Sequence, residues 1–240
     1  MLVSLTIIRY PKRCVFFALL AMAVHRLPFW FNKKISFYKL MGSGKNGTFD
    51  KHPDWQQWAI LAVHLTAPNI ETLTNENVIA DLYGGFVSKW GRFFNCETWT
   101  LFLEPIEGHG LWDGKIPFGD LPKQTDYEGP ITVLTRATIR LSKLGAFWRN
   151  VPGSADQLSS APGFINSFGI GELPFIKQAT VSTWQSKDAM KQFAYQMKQH
   201  TKVIRKTREE NWYSEEMFIR LKPLKTIGTI KGTDPLHGKL

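Results

Sequence analysis

The chain contains an internal repeat, which restricts its fold more than any other feature of the sequence. Residues 96–118 align without gaps on residues 214–236, at an offset of 118. Six of the 23 aligned positions are identical, where unrelated segments would share about one or two. The identical pairs are Glu97/Glu215, Leu103/Leu221, Pro105/Pro223, Gly110/Gly228, Gly114/Gly232 and Pro117/Pro235. We therefore expect two copies of one folding unit.

Shorter matches upstream extend the repeat, and the pattern of each half predicts its fold. "LMGSG" at 40–44 corresponds to "SFGIG" at 167–171, and "AILAVHL" at 59–65 corresponds to "ATVSTWQ" at 179–185. Strand-like and helix-like stretches give each half the order βαββαβ, the ferredoxin-like unit. Two such units can cover each other's bare sheet faces. We therefore predict an α+β protein whose tandem ferredoxin-like repeats form a fused dimeric α/β-barrel.

A polar stretch separates the two halves. "GDLPKQTDYEG" at 119–129 contains Pro, Gly and charged residues, which is typical of a linker. We therefore assign residues 1–118 to the first ferredoxin-like half and residues 130–240 to the second.

Composition narrows the class of protein but does not identify a partner. The net charge is +10, yet the basic residues are spread from Lys12 to Lys239 without a run of five or six. This favours a solvated basic surface, with attraction to nucleic acid or to an anionic membrane as alternatives. The two cysteines, Cys14 and Cys96, form no CxxC motif, which favours a reducing cytoplasm.

An apolar stretch near the N-terminus has some features of a targeting segment. "CVFFALLAMAV" follows Lys12 and Arg13 but spans only eleven residues, too few to cross a membrane as a helix. No small-x-small cleavage site follows it closely, and a strand-like "LVSLTIIRY" precedes it. We interpret residues 12–25 as a buried amphipathic helix, with His25 as a favourable cation at its C-terminal end.

Two segments resemble a nucleotide-binding motif and an RNA-binding motif, but neither has the residues that its motif requires. "GSGKNGT" at 42–48 has two glycines at the spacing of a phosphate loop, but Thr48 occupies the position where the motif requires lysine. "YGGFVSKW" at 83–90 lacks the aromatic residues that an RNA-recognition strand stacks on bases. We therefore expect no nucleic-acid partner.

Two of the six histidines have surroundings that suit a functional role. His64 lies in an apolar strand on the same side as Ile60, and a packed core histidine is the simpler interpretation. His200 lies in a predicted helix with Val203 and Ile204 one turn later on the same face. A single histidine is sufficient as the axial ligand of a haem in an apolar pocket. On this pattern His200 is either such a ligand or a structural residue.

Several motifs in a fixed order resemble those of the spheroidene monooxygenase family. In the second half these are "VLTRATIR", "FWRNVP", "GIGELP", "QATVSTW" and "NWYSEEMF"; in the first half they are "FYKLMGSG", "WAILAVH", "CETWTLFLEP" and "GLWDGKIPF". The resemblance runs from about residue 3 to residue 236. It implies an enzyme that uses O2 and an external electron donor to introduce oxygen into an acyclic carotenoid, and it implies a haem cofactor.

The resemblance also implies roles for individual residues. His200 matches a family histidine and becomes the expected axial ligand, which places the haem site in the second half. Arg136 and Arg140 match the family's "TRATIR" strand, where they meet either haem propionates or acidic groups of a neighbouring strand. Trp184 matches a family aromatic residue, with cofactor contact and core packing as the alternatives. His64 departs from the family pattern, in which we expect an aromatic residue.

The implied partners follow from a lipophilic substrate. They are the carotenoid, an electron-donor protein such as a ferredoxin, and peripheral contact with the inner face of a membrane from the cytoplasm. The alternative is a non-catalytic module of the same fold that binds an apolar ligand or haem.

Overall fold

The structure is a computed structural model that describes residues 1–45, 52–196 and 205–240. In the first half the elements are β1 (Leu2–Arg9), α1 (Val15–Val24), α2 (Arg26–Phe31), β2 (Ile35–Gly44), β3 (Pro53–His64), α3 (Val78–Tyr83), α4 (Gly85–Phe93) and β4 (Glu97–Gly110). In the second half they are β5 (Ile131–Ile139), α5 (Leu144–Leu158), β6 (Phe164–Leu173), β7 (Lys177–Trp184), α6 (Lys187–Gln196) and β8 (Tyr213–Gly228). The predicted order βαββαβ is confirmed in both halves, with two short consecutive helices at each helical position of the first.

The eight strands form one closed antiparallel barrel in the order β1-β3-β2-β6-β7-β5-β8-β4. Each half contributes four neighbouring strands, and the halves join through β4–β8 and through a short β2–β6 contact between the matching segments "LMGSG" and "SFGIG". The fused dimeric α/β-barrel is therefore confirmed. Because side chains alternate along each strand, every second residue faces the interior of the barrel.

The interior of the barrel is filled by a single apolar cluster. Both halves contribute to it, through β1, β3 and β4 and through β5, β7 and β8. Its members include Leu5, Leu61, Leu103, Leu134 and Leu221, each at most 1% exposed. The lumen is thus a core, and ligands must be sought on the outer faces of the sheet.

The β4–β8 pairing explains most identities of the repeat. Glu104 pairs with Lys222, its own equivalent at the offset of 118, so a pseudo-twofold axis passes between them. Glu97 accepts hydrogen bonds from the backbone N–H groups at positions 231 and 232, and Glu215 accepts them from those at 113 and 114. Each carboxylate thereby holds the turn that follows the last strand of the other half.

The first helix differs from its prediction. Residues 12–25 were expected to form a buried amphipathic helix, but α1 is apolar on every side and exposes Phe16, Leu19 and Leu20. His25, expected as a cation, is 4% exposed, and its burial lowers its pKa to about 4. The sheet covers only one side of this apolar helix. That side includes His25, and the opposite side faces outward.

Glycine at position 228 is required by close backbone approach, which gives a test of the interface between the halves. Gly228 has φ +91°, and a Cβ built there would lie 2.1 Å from the carbonyl oxygen of Thr98. Gly228→Ala should lower the free energy of unfolding by about 3 kcal/mol, because backbone at the β4–β8 junction must move. Gly232→Ala, at φ +78° with nothing near its Cβ, should cost about 1 kcal/mol. Equal losses in urea denaturation would contradict this account of the interface.

Candidate functional site

The two halves use the same strand register on the outer faces of their sheets. Thr6 of β1 pairs with Thr100 of β4, and Thr135 of β5 pairs with Phe218 of β8. Leu2 pairs with His64, as Ile131 pairs with Trp184. Thr135 is therefore the structural equivalent of Thr6, and His64 is the equivalent of Trp184, as the sequence repeat predicted. Because the backbones match, differences between the two faces come from the side chains and the helices above them.

In the first half this outer face is sealed. Tyr83 of α3 contacts Ser4 and Thr6 through hydroxyl hydrogen bonds of 3.0 and 2.7 Å, and Thr6 bonds Thr100 at 2.8 Å. The Nε2 atom of His64 lies 2.7 Å from the Ser4 hydroxyl. All five side chains are buried, and burial raises the pKa of Tyr83 to about 12 and lowers that of His64 to about 4. His64 is thus a neutral, hydrogen-bonded core histidine.

In the second half the same face is partly open. Thr135 is exposed although it lies in the middle of a strand whose neighbouring residues are buried. Across the ladder, the hydroxyl of Thr180 is buried and has no hydrogen-bond partner in the described part of the chain. A buried hydroxyl without a partner costs free energy of about 1–3 kcal/mol. We call the outer sheet surface around Thr135, Ala137, Thr180 and Phe218 the second-half cleft.

Two apolar clusters border the second-half cleft along β5. One surrounds Ile131 and Val133 and includes Trp184, together with Leu158 of α5 and two residues of α6. The α6 members are Met190 and Phe193. The other surrounds Ile139 and consists of Phe147, Trp148 and Trp212. Thr135 lies between these clusters, so its hydroxyl is set in an otherwise apolar and aromatic environment.

The predicted site residues do not all meet at this cleft. Trp184 lies on the outer face, where it is 1% exposed, packs against Phe164 and Phe193, and donates to the Ser182 hydroxyl at 3.0 Å. Among the described residues its contacts are those of core packing. His200 lies outside the described residues, so its role as axial ligand stays a prediction.

Arg136 faces the opposite side of the sheet from Trp184. It is 1% exposed at one end of the barrel interior, where it forms ion pairs with Glu215 and Asp113 and stacks over Trp112. Asp113 also binds Lys39 and Lys177, and these cations help hold the pKa of its carboxyl at about 2 against the opposing effect of burial. Acidic partners, one of the two predicted alternatives, therefore occupy Arg136.

Arg140 lies at the end of β5 and also stands apart from the cleft's apolar walls. It is exposed, and its Nε donates to the backbone carbonyl of Tyr213 at 3.2 Å. Neither arginine is positioned beside Trp184. The walls of the cleft suit an apolar macrocycle or polyene. The two arginines that were predicted to bind the carboxylate groups of a macrocycle do not lie on these walls.

His109 is a described histidine that borders the cleft. It lies in β4, pairs with Phe218 across the ladder, and its ring centroid is 6.2 Å from that of Phe218. Its side chain is exposed. The sequence alone does not single it out, because Gly108 and Gly110 on either side are typical of a loop, whereas in the structure they continue the strand with positive φ.

Two further buried features were not predicted. Glu107 is 1% exposed and binds Arg220, Lys187 at 2.9 Å, and Thr125 of the predicted linker at 2.8 Å, which ties the linker and the start of α6 to the sheet. These residues are far apart in the chain and form no motif.

In the first half, His25 borders a small apolar cavity beneath α1, and its Nε2 has no partner among the described residues.

Metal-binding clusters are also absent from the described ranges, where no group of three or more His, Cys, Asp or Glu side chains could hold an ion.

Comparisons with known proteins give one consistent result. No protein-family model matches the chain. It is 35% identical over 222 residues to the spheroidene monooxygenase of Rhodobacter capsulatus, covering 91% of this chain and 88% of that protein. It is 34% identical over 216 residues to the spheroidene monooxygenase of Cereibacter sphaeroides, covering 90% of this chain but only 64% of that protein.

A solved structure supports the fold independently. Aldoxime dehydratase aligns with 100% of this chain and 87% of its own, with a TM-score of 0.62 and 8% sequence identity. At this identity the likeness establishes a shared architecture and carries no information on activity.

The buried state of His64 predicts how stability depends on pH. Folded His64 stays neutral down to about pH 4, whereas unfolded His64 binds a proton near pH 6.5. Its contribution is therefore fully present above pH 6.5 and is lost as the pH falls toward 4, by about 3 kcal/mol. His64→Gln, which keeps a hydrogen-bonding group beside Ser4, should reduce the slope of unfolding free energy against pH in this window. An unchanged slope in urea titrations would show that His64 is not buried as a neutral group.

Proposed function

The chain belongs to the spheroidene monooxygenase family, and we propose that it is a haem-dependent monooxygenase of acyclic carotenoids such as spheroidene. The product would carry a hydroxyl or keto group, and O2 and an external electron donor would be consumed. The observation that carries the proposal is the exposure of Thr135 on the outer face of the second-half sheet, where its equivalent in the first half, Thr6, is buried beneath Tyr83.

The described residues suit a long polyene. Aromatic and aliphatic side chains border the cleft on both sides, and they would exclude water from a bound hydrocarbon. Thr135 and Thr180 place two hydroxyls in this apolar surrounding. We propose that a polar atom of the bound ligands completes the hydrogen bonding of Thr180, which lacks a partner among the described residues.

His200 is our proposed axial ligand. The helix ends that precede β4 and β8 both carry an asparagine with positive φ, Asn95 and Asn211, an offset of 116. Between β3/β7 and these helix ends the offset between the halves changes from 120 to 116, which matches His200 with positions 80–84. That segment includes Tyr83, which covers the first-half sheet. The repeat therefore matches His200 with the segment that covers the sheet in the first half, which supports it as the proposed ligand.

A haem, when bound, supplies the activation of O2 for attack on a C–H bond. His200 would hold the iron of this group, and the chain would also contribute the apolar walls that hold the polyene and exclude water. Arg136 is not proposed as a cofactor contact in this arrangement, since its charge is already paired inside the barrel.

The open floor of the cleft can be tested by filling it. Thr135→Trp should lower carotenoid turnover at least about tenfold, because one large side chain would occupy the uncovered surface. Since Thr135 is exposed, the melting temperature should change little. Ser36→Trp, at an exposed strand position of the first half, is the matched control and should keep full turnover. Normal activity in Thr135→Trp would exclude the cleft as the reaction site.

The ligand assignment can be tested separately. Protein produced with iron and a haem precursor should show a Soret band, which His200→Ala should lose together with activity while circular dichroism shows that the domain stays folded. His109→Ala and His64→Gln should keep the band, the first because His109 lies at the edge of the cleft and the second because His64 is in the other half. A full Soret band in His200→Ala would refute the assignment. Haem binding without product formation would favour the non-catalytic alternative.

A further inference from the structure

The segment formed by α1 and α2 is apolar on both sides, but the protein covers only one of them. Residues 12–31 are long and apolar enough to cross a membrane by length and composition. A buried stripe at helical spacing contains Ala18, Ala21, His25 and Phe29, and it packs on the first-half sheet. The opposite stripe is exposed. Helices that are apolar all round are buried in a core or in lipid.

The exposed stripe continues onto α4 to form one surface. Phe17 stacks on Phe94 with ring centroids 4.5 Å apart, and His25 contacts Phe86 and Trp90, so α1 and α4 lie side by side. We call the combined surface the aromatic face. Its exposed members are Phe16, Phe17, Leu19, Leu20, Leu27, Trp30, Phe31, Phe86 and Phe93. Trp30 and Phe31 are 78% and 77% exposed, which is unusual for a water-facing surface.

Cations and no anions accompany the aromatic face. Residues 12–34 and 84–96 contain seven exposed Lys and Arg residues and not one Asp or Glu. The seven are Lys12, Arg13, Arg26, Lys33, Lys34, Lys89 and Arg92. Although basic residues occur throughout the sequence, these seven are exposed on the same two segments that carry the aromatic face.

We propose that the aromatic face docks on an anionic lipid bilayer, with α1 and α2 lying in the plane of the interface. Exposed Trp and Phe would enter the boundary between headgroups and acyl chains, and the surrounding cations would bind anionic headgroups. The helices cannot leave the barrel to span the bilayer without uncovering the sheet core beneath Ala18 and Phe29. The contact is therefore peripheral.

Charge argues against a second copy of the chain as the occupant. A twofold dimer through this face would bring the same surface together from both subunits. Fourteen cations would then meet without a carboxylate from either segment, and like charges at this spacing repel. Anionic headgroups supply the missing negative charge.

Vesicle binding tests the proposal without reference to any reaction, so its failure would leave the proposed oxygenase activity untouched. The full chain should sediment with vesicles containing phosphatidylglycerol at low salt and bind them more weakly at high salt. Binding to pure phosphatidylcholine should be weaker at every salt concentration. Trp30→Ser combined with Phe31→Ser should lower the partition coefficient at least about tenfold, because two of the three most exposed aromatic residues of this face are lost.

A matched variant controls for the loss of exposed apolar side chains in general. Ile116→Ser combined with Leu141→Ser removes residues that are 62% and 72% exposed outside the aromatic face, and it should bind vesicles like the unaltered chain. Unaltered binding by the Trp30/Phe31 variant would overturn the proposal. The proposal would also be overturned if the unaltered chain were a dimer in sedimentation equilibrium, the Trp30/Phe31 variant were a monomer, and neither protein bound vesicles. Circular dichroism melting should confirm that both variants are folded.

Discussion

The antiparallel pairing of β4 with β8 is the contact on which the rest of the structure depends. It runs along the longest strands of both halves and crosses a pseudo-twofold axis at Glu104 and Lys222. The carboxylates of Glu97 and Glu215 bind the turns that follow these strands from opposite sides. Since neither half can cover its own sheet edge, the pairing converts two open sheets into one barrel with a common core.

Once the barrel is closed, function depends on how the outer faces are covered. In the first half Tyr83 joins Ser4 and Thr6 in a buried hydroxyl network, and α1 covers the neighbouring surface. In the second half Thr135 stays exposed between two aromatic clusters. In our proposal, duplication of the unit leaves the first copy to stabilise the protein and the second to bind a ligand. The exposed side of α1 and α2, which the first sheet does not bury, is the proposed docking surface.

The sequence was sufficient for the architecture because strand alternation and the repeat depend on local order in the chain. It correctly placed His64 on the same side of its strand as Ile60, and it correctly aligned His64 with Trp184 as equivalent positions of the repeat. It could not decide between the partners of Arg136, since Asp113 and Glu215 reach it only through the closed barrel. The same limit applies to the charge of His25, because a helix-end position favours a cation while tertiary burial favours the neutral imidazole.

The central claim is that the substrate binds over the second-half sheet. Labelling of a cysteine introduced by Thr135→Cys, in a chain whose Cys14 and Cys96 are changed to Ser, tests it most directly. A maleimide should label this position readily in the free protein, because Thr135 is exposed, and spheroidene should slow the labelling strongly. Labelling at the same rate with and without spheroidene, under conditions where the carotenoid is bound, would contradict the account.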